Sequence, residues 1–135
     1  MATKGFEHLD VYRLSENLAD KIWDLVTTWE PFAKHTVGGQ IVRAADSIGA
    51  NIAEGTGRGT YKDNCHYARI GRGSLNETRH FLRRAFRRKL LAPAQISQLT
   101  PIVRELGPRL NAYIRSIDNA AKRPKSKASP VTSNQ

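Results

Sequence analysis

The stretch 51-NIAEGTGRGTYKDN-64 decides how this chain folds. Gly55, Gly57 and Gly59, with Gly49 just upstream, are four of its ten glycines. A glycine-rich phosphate loop needs a strand before it and a helix after it, and a P-loop adds a Lys-Ser/Thr pair. Here Ile41, Ala44, Ala45, Ile48 and Ile52 recur at steps of three and four, so a helix precedes the glycines. No Lys-Ser/Thr pair closes the loop. Gly55 falls where a left-handed C-cap residue belongs. Thr60, with Asp63 three residues on, resembles a capping box with Asp in place of Glu. The stretch reads as a hinge between two helices. The start of the second helix, with Arg58 and Lys62, suits a backbone phosphate.

Working outward, three further helical patterns appear. Upstream, Val11, Leu14, Leu18, Ile22, Leu25 and Trp29 make one apolar stripe from about Asp10 to Trp29. Tyr12, Ala19, Trp23 and Val26 widen it to about half the circumference, which predicts packing on two surfaces. Glu30-Pro31 ends this helix. The helix before the hinge runs from about Val37 to Glu54, with Gly49 and the alanines admitting a close neighbour. Downstream, residues 60 to about 91 form a third helix. Tyr67, Gly71, Ser74, Thr78, Leu82, Ala85 and Lys89 trace one side, flanked by Ile70, Leu75, Phe81 and Phe86. Gly71 and Gly73 each cost helix propensity about 1 kcal/mol, which points to a backbone passing closely. A fourth stripe, Ile96, Leu99, Val103, Leu106, Leu110, Tyr113 or Ile114, and Ile117, spans about Pro93 to Ala120. Its interior holds Pro101 and Pro108, so one kinked helix and two shorter pieces both fit. Four amphipathic helices with short connections predict an all-α, antiparallel, up-down-up-down four-helix bundle over residues 1–120. The remainder, with KRPKSKASPVTSNQ at 122–135, is a basic tail too polar to order itself.

The 135 residues suffice for one domain with a tail. No run of 18 or so apolar residues would span a membrane, and the N-terminus lacks a signal-peptide pattern. The single Cys65 excludes an internal disulfide and fits a reducing cytoplasm. Catalytic constellations are missing. Ser47 and Ser74 read as packing positions within helices, and a nucleophile needs a neighbouring base. ETRH, residues 77–80, matches half of a di-iron motif, but that chemistry needs two such motifs and two further Glu residues. His8, His35 and His66 have no ligand spacing, and Cys65 has no Cys partner for zinc. The chain is therefore expected to have no catalytic residues, no metal and no cofactor.

Charge is the strongest chemical signal. The chain carries a formal +10, yet residues 1–57 hold five Lys/Arg against eight Asp/Glu. Residues 58–91 hold ten Lys/Arg against two Asp/Glu. Arg69, Arg72, Arg79, Arg83 and Arg87 fall on one face of helix three, and Arg84 and Arg88 broaden it. Like charges four apart on a helix repel by a few tenths of a kcal/mol each, roughly. A solvated face usually mixes signs, so this one predicts a polyanionic partner. Arginine forks suit phosphate, and few aromatics accompany them. Backbone contact to RNA or DNA, without base reading, is the expected mode. A protein-interaction scaffold whose basic face keeps it soluble is the alternative.

Three segments then carry a resemblance: FEHLDVY at 6–12, QIVRAADSIGANIAEGTGR at 40–58 and RGSLNE at 72–77. They resemble the four-helix bundle family encoded in intervening sequences of bacterial 23S ribosomal RNA genes. One departure is Gly71 in ARIGRGS, where the family usually has Ala. The resemblance implies a bundle that assembles as a ring-like homopentamer. It also implies similarity in fold to the accessory variability determinant of diversity-generating retroelements, a basic pentamer that binds nucleic acid and partners a reverse transcriptase. Within the middle block, Gln40, Arg43, Ser47, Asn51 and Glu54 form a polar stripe. They are expected to line a helix or subunit seam with Glu77 in reach of Arg43, where an ion pair would fix register.

Overall fold

The computed structural model describes residues 5–124, and among these there are helices and no strands. A 3-10 turn, Phe6–His8, leads into α1, Asp10–Val26. A short helical turn, Pro31–Ala33, and a π-helical turn, Lys34–Gly38, run directly into α2, Gly39–Thr56. Helix α3 spans Tyr61–Arg87 and α4 spans Pro93–Ala121. The main packing contacts are α1 with α2, α2 with α3, α3 with α4, and α4 with α1. That cycle is the up-down-up-down bundle. Its antiparallel sense is visible at both ends of the α1–α4 seam. Arg109 Nη1 donates to Asp10 Oδ2 at 3.0 Å, and Trp29 Nε1 donates to the Leu90 carbonyl at 3.1 Å.

The core follows the stripes. Leu18, Ile22, Ile41, Ile48, Ile52, Leu75, Leu106 and Leu110 are fully enclosed. Two glycines set helix spacing. A Cβ on Gly49 would sit 3.0 Å from Ser15 Oγ on α1, and one on Gly71 would sit 3.2 Å from the Ile48 carbonyl on α2. Gly73 does not share this role, since a Cβ there meets nothing within 4 Å.

Several local expectations change. Glu30-Pro31 starts a helix rather than ending one. The Glu30 carboxylate accepts from the Phe32 and Ala33 amides at 2.9 and 2.8 Å, with Pro31 in the first turn, where it lacks no needed donor. Helix α1 has already stopped at Val26. Gly55 is a helical residue, not a left-handed cap: α2 continues to Thr56, and the positive φ of the hinge belongs to Gly59, at 91°. Gly55 is needed because α3 crosses there, with Asn64 Oδ1 2.6 Å from a Cβ built at this position. Thr60 caps α3 as expected, its Oγ1 accepting from the Asp63 amide at 3.1 Å.

Helix α3 ends at Arg87, short of the expected Leu91. The Leu90 amide donates to the Ala85 carbonyl at 2.9 Å and Lys89 to Phe86 at 3.0 Å, the pattern of a Schellman cap. Lys89 occupies its left-handed position, at φ 62°. Helix α4 is one piece through both prolines. Thr100 caps nothing; its hydroxyl donates back to the Ile96 carbonyl at 2.8 Å. Pro101 and Pro108 face solvent, seven residues apart, and free the carbonyls of exposed Ser97 and Arg104 to water. Each interior proline costs about 3 kcal/mol. Against this, Leu99, Ile102, Leu106, Leu110, Ile114 and Ile117 are buried, at roughly 1.5–3 kcal/mol apiece, so burial wins. The C-terminal tail from residue 125 onward, like residues 1–4, lies outside the described residues.

Candidate functional site

The arginines of α3 do not form one uniform stripe. Arg69 and Arg72 lean on α4: Arg69 Nη2 lies 3.7 Å from Asp118 Oδ1, and Arg72 Nη1 donates to Asn111 Oδ1 at 3.2 Å. Arg79 and Arg83 stand on the α4 side further along and line a groove. Arg84, Arg87 and Arg88 turn outward or toward α2 by helical spacing. Among the described residues, none of Arg79, Arg83, Arg84, Arg87 and Arg88 has an acidic partner within 4.0 Å. Across the hinge, Arg58 pairs with Glu54 at 3.1 Å and lies 5.2 Å from the centre of the Tyr67 ring, while Lys62 is exposed. Arg58 and Lys62 sit near the start of α3, about 30–45 Å from Arg88 at 1.5 Å of rise per residue. They are separate from the C-terminal cluster.

The groove that Arg79 and Arg83 border has a volume of about 430 Å³ and lies between the end of α3 and the start of α4. Leu82, Phe86, Leu91, Ile96, Leu99 and Val103 make its floor, and Arg104 adds a third guanidinium at the rim. Phe86 is 55% exposed, so the expectation that it flanks the core is corrected. Ile70, at 41%, is corrected likewise.

The polar stripe of α2 partly assembles. Gln40, Arg43 and Ser47 meet Glu77 and Phe81 of α3 around a concavity of about 320 Å³. Arg43 and Glu77 border the same space, but they are not within ion-pair distance. Ser47 and Asn51 spend their donors on their own helix, bonding the Arg43 and Ser47 carbonyls at 2.8 Å each. Glu54 is drawn off by Arg58. The seam is thus an α2–α3 groove lined by Gln40, Arg43, Ser47 and Glu77, with Asn51 and Glu54 beyond it.

A feature the sequence pattern did not reveal lies on α1. The wide apolar arc of α1 packs on two surfaces, against α2 and against α4, with Val26 buried and Tyr12 and Ala19 partly buried; Trp23, at 57% exposure, is the member of the arc left outside. By helical spacing Glu16 and Asp20 fall within about 20° and 60° of it, two turns and one turn back along α1, while Asp24 lies about 100° round the helix. Asp46 of α2 joins them: burial, then the charge of Asp20, pushes its carboxyl above the ordinary carboxylate range. The signal was present as the acid excess of residues 1–57, but only the packing shows which aromatic stays outside.

The two ends of ETRH separate. Glu77 borders the α2–α3 concavity, while His80 is exposed with its ring 5.1 Å from that of Phe81. Cys65 is buried. Among the described residues no helix is long and apolar enough to cross a membrane.

The family model described as 23S rRNA-intervening sequence protein matches residues 7–112. Among solved structures, the chain is similar to a protein of unknown function from the S23 ribosomal protein family of Bacteroides thetaiotaomicron VPI-5482. That match has 25% identity and a TM-score of 0.68, covering 77% of this chain and 97% of the other. Comparison with curated proteins gives no match. The matched span takes in the Gln40–Gly55 block, the hinge and all of α3, and on that basis the chain belongs to the 23S rRNA-intervening sequence protein family.

Proposed function

We propose that this protein is a nucleic-acid-binding homo-oligomer, not an enzyme, and that it grips the phosphate backbone of RNA or DNA through the C-terminal half of α3. The observation that carries the reading is the run from Arg79 to Arg88, five arginines with no acidic partner among the described residues. An isolated helix gains nothing from that arrangement and is slightly destabilised by repulsion. A polyanion turns the same charges into favourable contacts by releasing its counterions. The weakness of each contact is offset when a ring of copies repeats it. A reverse-transcriptase gene beside this one would extend the reading to an accessory role in a diversity-generating retroelement.

The test is binding to a structured RNA and to a duplex DNA of equal length across a salt series. The variant Arg84→Ser/Arg87→Ser/Arg88→Ser keeps the α3–α4 groove intact. Wild type should bind with affinity falling steeply as salt rises. The variant should bind more weakly, with a slope shallower by roughly 0.7–0.9 for each phosphate it no longer neutralises. Equal binding by both proteins, or none by either at moderate salt, would refute the reading and favour the scaffold.

A further inference from the structure

The concavity between α2 and α3 holds two opposite charges that the chain does not spend on each other. Arg43 and Glu77 border the same space of about 320 Å³, yet they stand beyond ion-pair distance. Among the described residues, neither has another charged partner within 4.0 Å. The Arg43 guanidinium lies along its own helix, where a Cβ on Gly39 would sit 3.4 Å from Nη1 and 3.9 Å from Cζ. Phe81, partly buried, lines the space on the α3 side with Glu77. One helix thus offers a fork of donors, and the other offers two acceptor oxygens and an aromatic ring.

That lining suits a flat ligand with acceptors on one edge and donors on the next. A simple anion would be repelled by Glu77, and a simple cation by Arg43. Guanine carries two acceptors on one edge, O6 and N7, which match a guanidinium fork. On the next edge N1–H and the N2 amino group match the two oxygens of a carboxylate. Adenine and cytosine bring Glu77 only an amino group. A free zwitterion would also meet both charges. Arg43 and Glu77 are exposed, however, and exposed ion pairs contribute little. A base on a strand already held nearby does not depend on those contacts alone, because tethering raises its local concentration.

The means of holding that strand lies on the same face. Glu77, Phe81, Arg84 and Arg88 fall within about 60° of one another around α3 and span about 17 Å along it. Along the helix the order is acceptor, ring, cation, cation. We propose that the α2–α3 concavity is a pocket for one unpaired guanine of a single strand, with the base stacked on Phe81, O6 and N7 accepting from Arg43, N1–H and the N2 amino group donating to Glu77, and the neighbouring phosphates on Arg84 and Arg88. This rests on the nucleic-acid reading above and adds one read base to its backbone contacts. The base has to be unpaired, because the donors that Glu77 takes are those a Watson–Crick partner would occupy. Unpaired bases splayed onto aromatic side chains and bonded on these edges are a general mode of single-strand recognition.

Base substitution in the strand tests it. Fluorescence anisotropy compares labelled oligouridine strands carrying one central guanosine, adenosine or inosine, for wild type and for Glu77→Gln, each protein checked for helicity by circular dichroism. Wild type should favour the guanosine strand over the adenosine strand by at least about fivefold. Inosine, which lacks the N2 amino group, should fall between them. In Glu77→Gln the preference should vanish, while plain oligouridine binds as tightly as before or more so, since a negative charge has left the neighbourhood of the phosphates. Deoxyribose versions of the strands show whether RNA or single-stranded DNA supplies the base, a preference in either being the expected result. Strands that bind wild type alike, or not at all while a duplex binds, would overturn the pocket and leave the backbone reading standing. So would a guanosine preference that survives Glu77→Gln, or free guanosine monophosphate that competes mole for mole with the guanosine strand. A wild type that binds no strand, no structured RNA and no duplex overturns both.

Discussion

Three glycines of the α2–α3 hairpin meet very different surroundings, and replacing each with alanine separates packing from propensity. In a helix, Gly→Ala is favourable by about 0.8–1 kcal/mol wherever there is room. At Gly73 there is room, since nothing lies within 4 Å of the new methyl. At Gly55 the new Cβ meets Asn64 Oδ1 at 2.6 Å, Tyr67 Cβ at 3.0 Å and the Asn64 carbonyl at 3.1 Å. The Asn64 amide tip can swing, and its Oδ1 is buried without a hydrogen bond to break. The other two atoms belong to the α3 framework and can move only with the helix. Overpacking of that kind costs about 1–3 kcal/mol. Gly73→Ala should therefore gain close to 1 kcal/mol, while Gly55→Ala should run from neutral to about 2 kcal/mol of destabilisation. Subtracting one variant from the other cancels propensity and leaves packing alone, about 1–3 kcal/mol. With a urea m-value near 2 kcal/mol/M, the two midpoints should differ by about 0.5–1.5 M at matched protein concentration. Gly71→Ala, with its tightest contact at 3.2 Å, should fall between them. A Gly55→Ala protein as stable as Gly73→Ala would show that the α2–α3 crossing is not what demands glycine there.

Two further substitutions probe the ends and the charge. Lys89→Gly relieves a left-handed residue at φ 62°; the left-handed cost of about 1–2 kcal/mol, less the entropy of glycine, leaves a gain of roughly 0.5–1 kcal/mol, read as a higher urea midpoint. Asp46→Asn tests the acidic face in dilute protein. The Asp46 carboxyl is raised by burial and then by Asp20, so the stability it contributes is fully present below its usual value of 3.8 and is lost as pH rises through the raised value. Asn removes that penalty, so the variant should exceed wild type by a few tenths of a kcal/mol, roughly, at neutral pH and match it near pH 3; an unchanged difference across pH refutes the charge argument.

The helices were legible because their stripes are strong. Leu18 and Ile22, Ile48 and Ile52, and Leu106 and Leu110 each stand four residues apart and are all buried. The misreadings share a cause: one residue type answers two different demands. Gly55 lacks a Cβ because a helix passes, and a left-handed cap would have selected the same residue. Glu30-Pro31 begins a helix by the same chemistry that stops another, since proline is barred from the interior but suits the first turn. The end of α3 was overshot because Lys89 holds a position where glycine is the usual marker. At the candidate site, the arginine run was plain in the sequence, while its division was not. Which arginines lean on α4, border the groove or face outward depends on how α4 lies against α3. Trp23 and Phe86 carry the same apolar label as Leu25 and Leu75, and only the crossing of neighbouring helices decides which of them stays in water.

The α1–α4 seam also bears on how the chain reaches this shape. Three of the four helix pairings join sequence neighbours and can form as hairpins while the chain is still short. The fourth joins partners 61 and 99 residues apart, Trp29 with Leu90 and Asp10 with Arg109. On a ribosome, α1 waits with its apolar stripe half covered until α4 has been made. Contacts so distant in sequence form late and set the pace of collapse. During that interval the unsatisfied edge of α1 is the part of the nascent chain most open to a chaperone, or to the wrong helix of a neighbouring copy.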